Sequence, residues 1–232
     1  MDLKKLNSEQ LKAVEHINSP VLVFAGAGSG KTRVLTYKIA YLIESVGLPP
    51  EHILAVTFTN KAAQEMNQRV HSIVSVDSTK LNIGTFHSIC AGMLRKHIHH
   101  LGYENNFTIY DQKDALSIVK NVIINMDLDI KQYEPKYFYY LISNAKNQLL
   151  SYENIHQLSN RYIDDKISEV YKQYQIVLKE SNCLDFDDLL VLPLELFKAN
   201  NDILEYYKNK FRYVLVDEYQ DTNKPQFEFI CA

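Results

Sequence analysis

Four short apolar runs constrain the fold of this chain more than any other feature of its sequence. They are rich in β-branched residues and read "PVLVFAG" (20–26), "ILAVTFT" (53–59), "LNIGTF" (81–86) and "YVLVDE" (213–218). Runs of this kind are typical of strands buried on both faces of a parallel sheet. Helical patterns at 32–45 and 60–74 separate the first three runs. This alternation predicts an α/β fold with a doubly wound parallel sheet.

The middle of the chain follows a different pattern. From residue 88 to residue 210, apolar residues recur at the 3.6-residue spacing of helices, and glycine is absent after Gly102. We therefore expect a mainly helical subdomain inserted between two strands of one sheet. The predicted division is a first segment of the sheet domain at 1–108, the helical insertion at 109–184 and a return to the sheet domain at 185–232.

A glycine-rich segment, "AGAGSGKT" (25–32), links the first apolar run to the first helical pattern. Small residues let consecutive backbone N–H groups point at phosphate oxygens, and the following helix adds the positive end of its dipole. Lys31 would reach the β and γ phosphates of a nucleotide, and the Thr32 hydroxyl would hold Mg²⁺. A plain strand-to-helix turn is the alternative, but such a turn gains nothing from Gly-Lys-Thr. The residues predicted to form the cradle are Ala27, Gly28, Ser29, Gly30, Lys31 and Thr32.

The last apolar run ends in two acids, in "VLVDEYQDTN" (214–223). Open α/β sheets bind ligands at the carboxyl ends of their strands, which is where Asp217 would lie. Asp217 can hold Mg²⁺ through water, and Glu218 can polarise an attacking water molecule. A kinase does not need the second acid for that purpose, so the pair favours hydrolysis. The alternative is a strand followed by a solvated acidic turn.

Composition limits the remaining classes of protein. The net charge of −3 argues against binding nucleic acid through bulk positive charge alone. No apolar run approaches the roughly 18 to 20 residues that span a bilayer, and the N-terminus lacks the apolar core of a signal peptide. We expect a cytosolic protein.

Six segments in order carry a resemblance to a known family: "LNSEQLKAV", "AGAGSGKT", "AVTFTNKAAQEM", "GTFHS", "LDFDDLL" and "VDEYQDTN". The chain resembles the N-terminal part of a superfamily 1 DNA helicase of the UvrD, Rep and PcrA type. The resemblance implies a RecA-like P-loop NTPase domain, called 1A, that is interrupted by a helical subdomain, called 1B. It also accounts for Ala25, because alanine is usual at that position in the family.

The same resemblance implies roles for further residues. Gln10 matches the glutamine that reads the adenine edge, and Arg33 matches a position close to the base. A side-chain amide suits adenine because it donates and accepts at once. The segments "TFTNKAA" and "GTFH" match contacts to single-stranded DNA, with Phe58 offering a face for base stacking. By themselves these segments are more often the ends of core strands. The implied DNA contacts are Thr57, Phe58, Thr59, Asn60, Thr85, Phe86 and His87.

The resulting prediction is an ATP-dependent DNA helicase motor that uses ATP and Mg²⁺ and acts on single-stranded and duplex DNA, with 3′ to 5′ polarity implied by the resemblance. The arginines that reach the γ-phosphate from a second motor domain are expected beyond residue 232. One alternative is a fragment that binds nucleotide or DNA without turnover. Another is the motor of a helicase-nuclease of the AddA or RecB kind. A P-loop kinase is a remote third.

Two other groups of residues receive structural interpretations. In "LDFDDLL", Asp185 is predicted to cap a helix whose first turn contains the following acids. Tyr137, Tyr139 and Tyr140 are predicted to pack within the helical subdomain rather than to stack on bases.

Overall fold

A computed structural model describes residues 2–26, 28–74, 80–158 and 166–232. These residues form a mixed α/β structure with parallel strands and many helices, which confirms the predicted class. The chain divides into two compact units. One contains Met1–Ile89 and Glu205–Asp221, and the other contains Cys90–Leu204 and Thr222–Ala232.

The elements are numbered in chain order. The strands are β1 (Ile53–Thr57), β2 (Asn82–Thr85), β3 (Thr108–Ile109), β4 (Cys183–Leu184) and β5 (Tyr213–Val216). The helices are α1 (Ser8–Glu15), α2 (Lys31–Glu44), α3 (Asn60–Ile73), α4 (Phe86–His97), α5 (Gln112–Asn125), α6 (Pro135–Asn147), α7 (Lys166–Glu180), α8 (Asp188–Ala199), α9 (Asn201–Lys210) and α10 (Lys224–Cys231).

The sheet of the first unit has the strand order β2-β1-β5, with both neighbours parallel to β1. Three of the four predicted strands are thus confirmed. All five residues of β1 are buried, as expected for the central strand of a sheet covered on both faces. Thr57 pairs with Thr85, and Val56 pairs with Val216. The carboxyl ends of the three strands therefore meet at one edge of the sheet.

The first predicted strand is wrong. Residues 20–26 form neither helix nor strand, and Phe24 is 90% exposed. An apolar run becomes a buried strand only when neighbouring strands and packed faces are available. Within the described residues, this run pairs with no strand of the sheet. The composition of the run is compatible with a strand, but in the described part of the chain the run has neither a neighbouring strand to pair with nor a packed face that buries its side chains.

Capping residues begin two helices of the first unit, and a common apolar core holds two helices against the sheet. Helix α1 begins with a capping box in which Asn7 and Gln10 bond to each other's backbone N–H. Thr59 caps α3 by accepting from the backbone N–H of Ala62. Helices α2 and α3 pack their apolar faces on the sheet, and this core contains Ile39, Leu42, Ile53, Ala55, Met66 and Leu215.

The second unit is mainly helical. Helices α5, α6 and α7 enclose a core that includes Val119, Ile142 and Tyr174, and β3 pairs with β4 in a short parallel sheet. The helical spacing predicted between residues 88 and 210 is confirmed by α4 through α9 within the described residues. Residues 159–165 of this stretch lie outside the described residues.

Two of the three tyrosines on α6 do not pack as predicted. Tyr137 is 55% exposed and Tyr140 is 63% exposed, whereas Tyr139 is half-buried against the core. The inward stripe of α6 runs through Phe138, Ile142 and Ala145 at helical spacing, and the two exposed rings lie off that stripe.

In the parts of the chain that the structure describes, no helix combines the length and the apolar character needed to cross a bilayer.

Candidate nucleotide site

The glycine-rich segment has a backbone that only glycine adopts readily. Gly28 and Gly30 have φ angles of 76° and 88°, in the left-handed region. A Cβ atom on Gly30 would lie 2.8 Å from the Nε2 atom of Gln10, closer than real contacts allow. The backbone N–H and the hydroxyl of Ser29 both donate to the carbonyl oxygen of Gly26. Ala27, also predicted to belong to the cradle, lies outside the described residues.

Gln10 is tied directly to this loop. Its Nε2 atom donates to the carbonyl oxygen of Ser29 at 2.8 Å, and its Oε1 atom accepts from the backbone N–H of Asn7 at 3.1 Å. A carboxamide has two N–H donors and two acceptor lone pairs, so a donor and an acceptor remain for a base. The side chain implied to read adenine is thus also a brace between α1 and the loop.

Helix α2 begins at Lys31, directly after the loop, and its first turn supplies three of the predicted residues. Lys31 and Thr32 are half-buried, and Arg33 is exposed. The Nζ atom of Lys31 lies 3.5 Å from the Oε1 atom of Glu218, and the two side chains are 34% and 39% exposed. The loop therefore brings the predicted cationic residue to one of the predicted acids.

The two acids follow β5 at the carboxyl edge of the sheet. The backbone N–H of Asp217 donates to the carbonyl oxygen of Val56 at 2.9 Å, which extends the ladder with β1 by one residue. The Oδ1 atom of Asp217 accepts from the backbone N–H of Glu218 at 3.1 Å. Burial raises the pKa of Asp217 above its ordinary value, and the charge of Glu218 raises it further.

Glu218 has a partner that the sequence did not predict. The Nε2 atom of Gln220 donates to its Oε2 atom at 2.7 Å. This hydrogen bond lowers the pKa of Glu218, and the positive charge of Lys31 acts in the same direction. The signal was present in the sequence, because Gln220 follows Glu218 by two residues in a segment without apolar periodicity, where a turn can bring the two side chains together.

The chemistry of the two predicted ligands, taken residue by residue, suits a magnesium ion. The carboxylate of Asp217 and the hydroxyl of Thr32 are hard oxygen ligands of the kind that Mg²⁺ accepts in nucleotide sites. A cation beside Asp217 would offset the repulsion from Glu218 that raises its pKa. Both residues could therefore hold the ion.

The segment around β1, implied to contact DNA, is only partly accessible. The side chain of Thr57 is buried and donates to the carbonyl oxygen of Thr59. The half-buried ring of Phe58 packs edge-to-face against Phe86, with 5.9 Å between ring centroids. Thr59 and Asn60 are exposed at the start of α3, where Thr59 also caps the helix.

The segment around β2 lies deeper. Thr85 and Phe86 are buried, and the hydroxyl oxygen of Thr85 accepts from the backbone N–H of Ser88 at 3.2 Å. Burial lowers the pKa of the half-buried His87 to about 4, which makes its imidazole neutral at neutral pH. The pairing of Thr57 with Thr85 brings the two segments side by side.

The chain is similar to known proteins over nearly its whole length. The chain matches the UvrD/REP helicase N-terminal domain over residues 6–232. It is 46% identical over 228 residues to the ATP-dependent DNA helicase PcrA of Staphylococcus epidermidis, an alignment that covers 98% of this chain and 31% of the relative. It is 44% identical to the PcrA helicase of Staphylococcus aureus, with the same coverage.

The chain thus spans about a third of the length of the curated relatives it matches, 31%. The extent of the match and the identity over nearly the whole chain confirm the resemblance carried by the six motifs. The chain belongs to the UvrD/REP helicase N-terminal domain family.

Proposed function

We propose that this chain is part of an ATP-dependent DNA helicase that hydrolyses ATP to translocate along single-stranded DNA and to unwind duplex DNA, with 3′ to 5′ polarity. One observation carries the proposal. A lysine that begins a helix after a glycine-rich loop lies 3.5 Å from an acid that follows a parallel strand. A cation at the loop and a base at the strand are what phosphoryl transfer to water requires.

Binding depends on the loop and its neighbours. The backbone N–H groups of residues 27–30 cradle the phosphates, and Lys31 places its charge against the β and γ phosphates. Gln10 reads the adenine edge while it braces the loop, and Arg33 lies close to the base. In this proposal the nucleotide phosphates replace Glu218 as the partner of Lys31.

Glu218 acts as the base of hydrolysis. A water oxygen forms a bond to the γ-phosphorus, the bond from that phosphorus to the bridging oxygen breaks, and ADP leaves with the electron pair. The proton of the attacking water goes to Glu218. Thr32 and Asp217 would hold Mg²⁺, which supplies positive charge against the phosphate oxygens.

DNA contacts come from the segments after β1 and β2. Exposed Thr59 and Asn60 donate to phosphates, and the half-buried ring of Phe58 stacks on a base. Thr57, Thr85, Phe86 and His87 belong to the same proposed surface. Because three of these side chains are buried, they would support the contacts of their neighbours unless DNA binding rearranges the segments.

The domain arrangement is part of the same proposal. A RecA-like domain 1A would comprise residues 1–108 and 185–232, with a helical 1B subdomain at 109–184. A second candidate function, for residues 1–232 by themselves, is nucleotide or DNA binding without turnover. A motor of the AddA or RecB kind would instead require a nuclease domain downstream.

The experiment compares ATP turnover by residues 1–232 with turnover by a chain extended through a second motor domain, each with and without saturating single-stranded DNA. We expect the shorter chain to stay near background, because an arginine that stabilises the leaving γ-phosphate is worth about 10³- to 10⁵-fold in rate. The extended chain should respond strongly to DNA.

Two outcomes would contradict the proposed function or its dependence on a second motor domain. Turnover by the extended chain without any dependence on DNA would indicate a different P-loop enzyme. Strong DNA-stimulated turnover by residues 1–232 alone would show that the site needs no second domain.

A further inference from the structure

The two carboxylate oxygens of Glu218 have different partners. Oε1 lies 3.5 Å from the Nζ atom of Lys31, and Oε2 accepts from the Nε2 atom of Gln220 at 2.7 Å. The first contact is long for a hydrogen bond, and the second is short. One oxygen is therefore held by a neutral donor of its own turn, while the other faces a residue that the nucleotide is proposed to engage.

The backbone at Glu218 forms a turn that places Gln220 beside the carboxylate. Glu218 has a φ of 48°, in the left-handed region that residues other than glycine rarely adopt. The carbonyl oxygen of Glu218 accepts from the backbone N–H of Asp221 at 2.9 Å, which closes a turn over the intervening residues. Such conformations persist where surrounding contacts fix them, and they cluster at active sites. This turn brings Gln220 back to the carboxylate.

We propose that Gln220 is a positioning residue for hydrolysis, holding Oε2 of Glu218 so that Oε1 stays directed toward the phosphate loop as the proton acceptor. The inference rests on the proposed function. When the nucleotide phosphates engage Lys31, Oε1 is released and Oε2 is not. The carboxylate then keeps its orientation at the moment when it must take a proton from the attacking water.

The chemistry of the side chain suits this role. An amide donates without carrying charge, so it orients the carboxylate without competing with Lys31 for the phosphates. The same Nε2 atom lies 3.4 Å from the Oδ2 atom of Asp221, which places the donor between two acids. A carboxylate at position 220 would repel both acids and remove the donor at nearly constant size.

The test uses the complete protein, as the chain extended through the second motor domain. Gln220→Ala and Gln220→Glu should lower kcat for DNA-stimulated ATP hydrolysis by about 10- to 100-fold, because misplacement of a catalytic group has costs of this order. KM and the MgATP dissociation constant by calorimetry should change by less than about twofold, since no binding contact is lost. Gln68→Glu, the same change at an exposed position of α3, should leave all three values unchanged.

A double-mutant cycle separates positioning from a general effect on the fold. In a Glu218→Gln background there is no base to orient, so Gln220→Ala should cause no further loss of kcat. Losses that multiply in that background, an unchanged kcat in both Gln220 variants, or a rise in KM alone would each overturn the inference. If Glu218→Gln itself hydrolyses ATP at the wild-type rate, the proposed function fails. If only the Gln220 variants do, the inference fails alone.

Discussion

Among the contacts between lysines and carboxylates in the described residues, one in each unit can be compared directly: Lys31 with Glu218, and Lys146 with Asp185 and Asp188. Lys31 and Glu218 lie 3.5 Å apart with about a third of each side chain exposed, 34% and 39%. Lys146 lies 2.6 Å from Asp185 and 2.7 Å from Asp188, and all three side chains are at most 3% exposed. The first pair is open to a ligand, whereas the second is closed to solvent.

The buried group is satisfied by its own surroundings. The hydroxyl of Tyr174 donates to Asp185, and the backbone N–H of Asp188 donates to the Oδ1 atom of Asp185. Burial alone would lower the pKa of Lys146, but the two carboxylates hold it well above its ordinary value. A lysine with such partners stays charged and fixed. The difference shows that a lysine paired with acids stabilises the fold where the group is buried, and is accessible to a ligand where the group is exposed.

The largest effect on stability is expected from a substitution that disrupts the buried group. Lys146→Met leaves two buried carboxylates without their cation, and removal of one partner from a buried pair costs about 3 to 5 kcal/mol. We expect a loss of this size in the free energy of unfolding, measured by urea denaturation at neutral pH.

The matched control is Lys31→Met, the same substitution at the exposed contact. Exposed ion pairs contribute about 0 to 1 kcal/mol, so the stability of this variant should stay close to that of the wild type. Equal losses in the two variants would remove the distinction between the two contacts.

For ligand binding, unlike stability, the larger effect is expected at the exposed contact. Lys31→Met should weaken MgATP binding by about 1.5 to 3 kcal/mol or more in the complete protein, because a charge-assisted contact with the phosphates is lost. Calorimetry on the extended chain measures this change. An unchanged affinity would show that Lys31 is not part of the cradle, whatever its effect on stability.

The exposed contact could be predicted from the sequence, and the buried one could not. The sequence predicts Lys31 and Glu218 as site residues, because a phosphate loop and acids at a strand end require particular residue types at particular places along a strand, a loop and a helix. Their convergence followed from the carboxyl ends of parallel strands meeting at one edge. Gln220 is not among the predicted residues, because a turn signal shows that nearby polar side chains can meet and does not show which of them do.

Lys146 belongs to a helical pattern 39 residues before Asp185, and nothing in the spacing indicates that their side chains meet. The prediction that Asp185 is the N-cap residue is wrong, because α8 begins at Asp188 and Asp187 occupies the N-cap position. The carboxylate of Asp185 accepts from the backbone N–H of Asp188 and also binds Lys146. The strand prediction for residues 20–26 is wrong for a related reason. A strand depends on neighbours that a local apolar pattern cannot supply. Local chemistry was predictable, whereas long-range packing was not.

A dependence of stability on pH separates the two acids that share Lys146. Burial raises the pKa of Asp188 to about 7, and the charge of Asp185 acts in the same direction. The pKa of Asp185 is lowered, because although burial opposes its charge, Lys146, Tyr174 and a backbone N–H stabilise it. Between an ordinary value of 3.8 and about 7, Asp188 is protonated in the folded state and ionised in the unfolded state. The unfolded state then binds fewer protons, so stability falls as pH rises through this window.

The stability of the wild type relative to Asp188→Asn should therefore decline between about pH 4 and pH 7, with a slope no steeper than about 1.4 kcal/mol per pH unit, and should level off above pH 7. Urea denaturation across this range measures the difference. Asp185→Asn is the matched control. A lowered pKa contributes stability above the ordinary value and loses it only at lower pH, so the difference from the wild type should be flat over the same range. A slope in the Asp185→Asn series, with a flat Asp188→Asn series, would assign the shared proton to the other carboxylate and reverse the order of their pKa values.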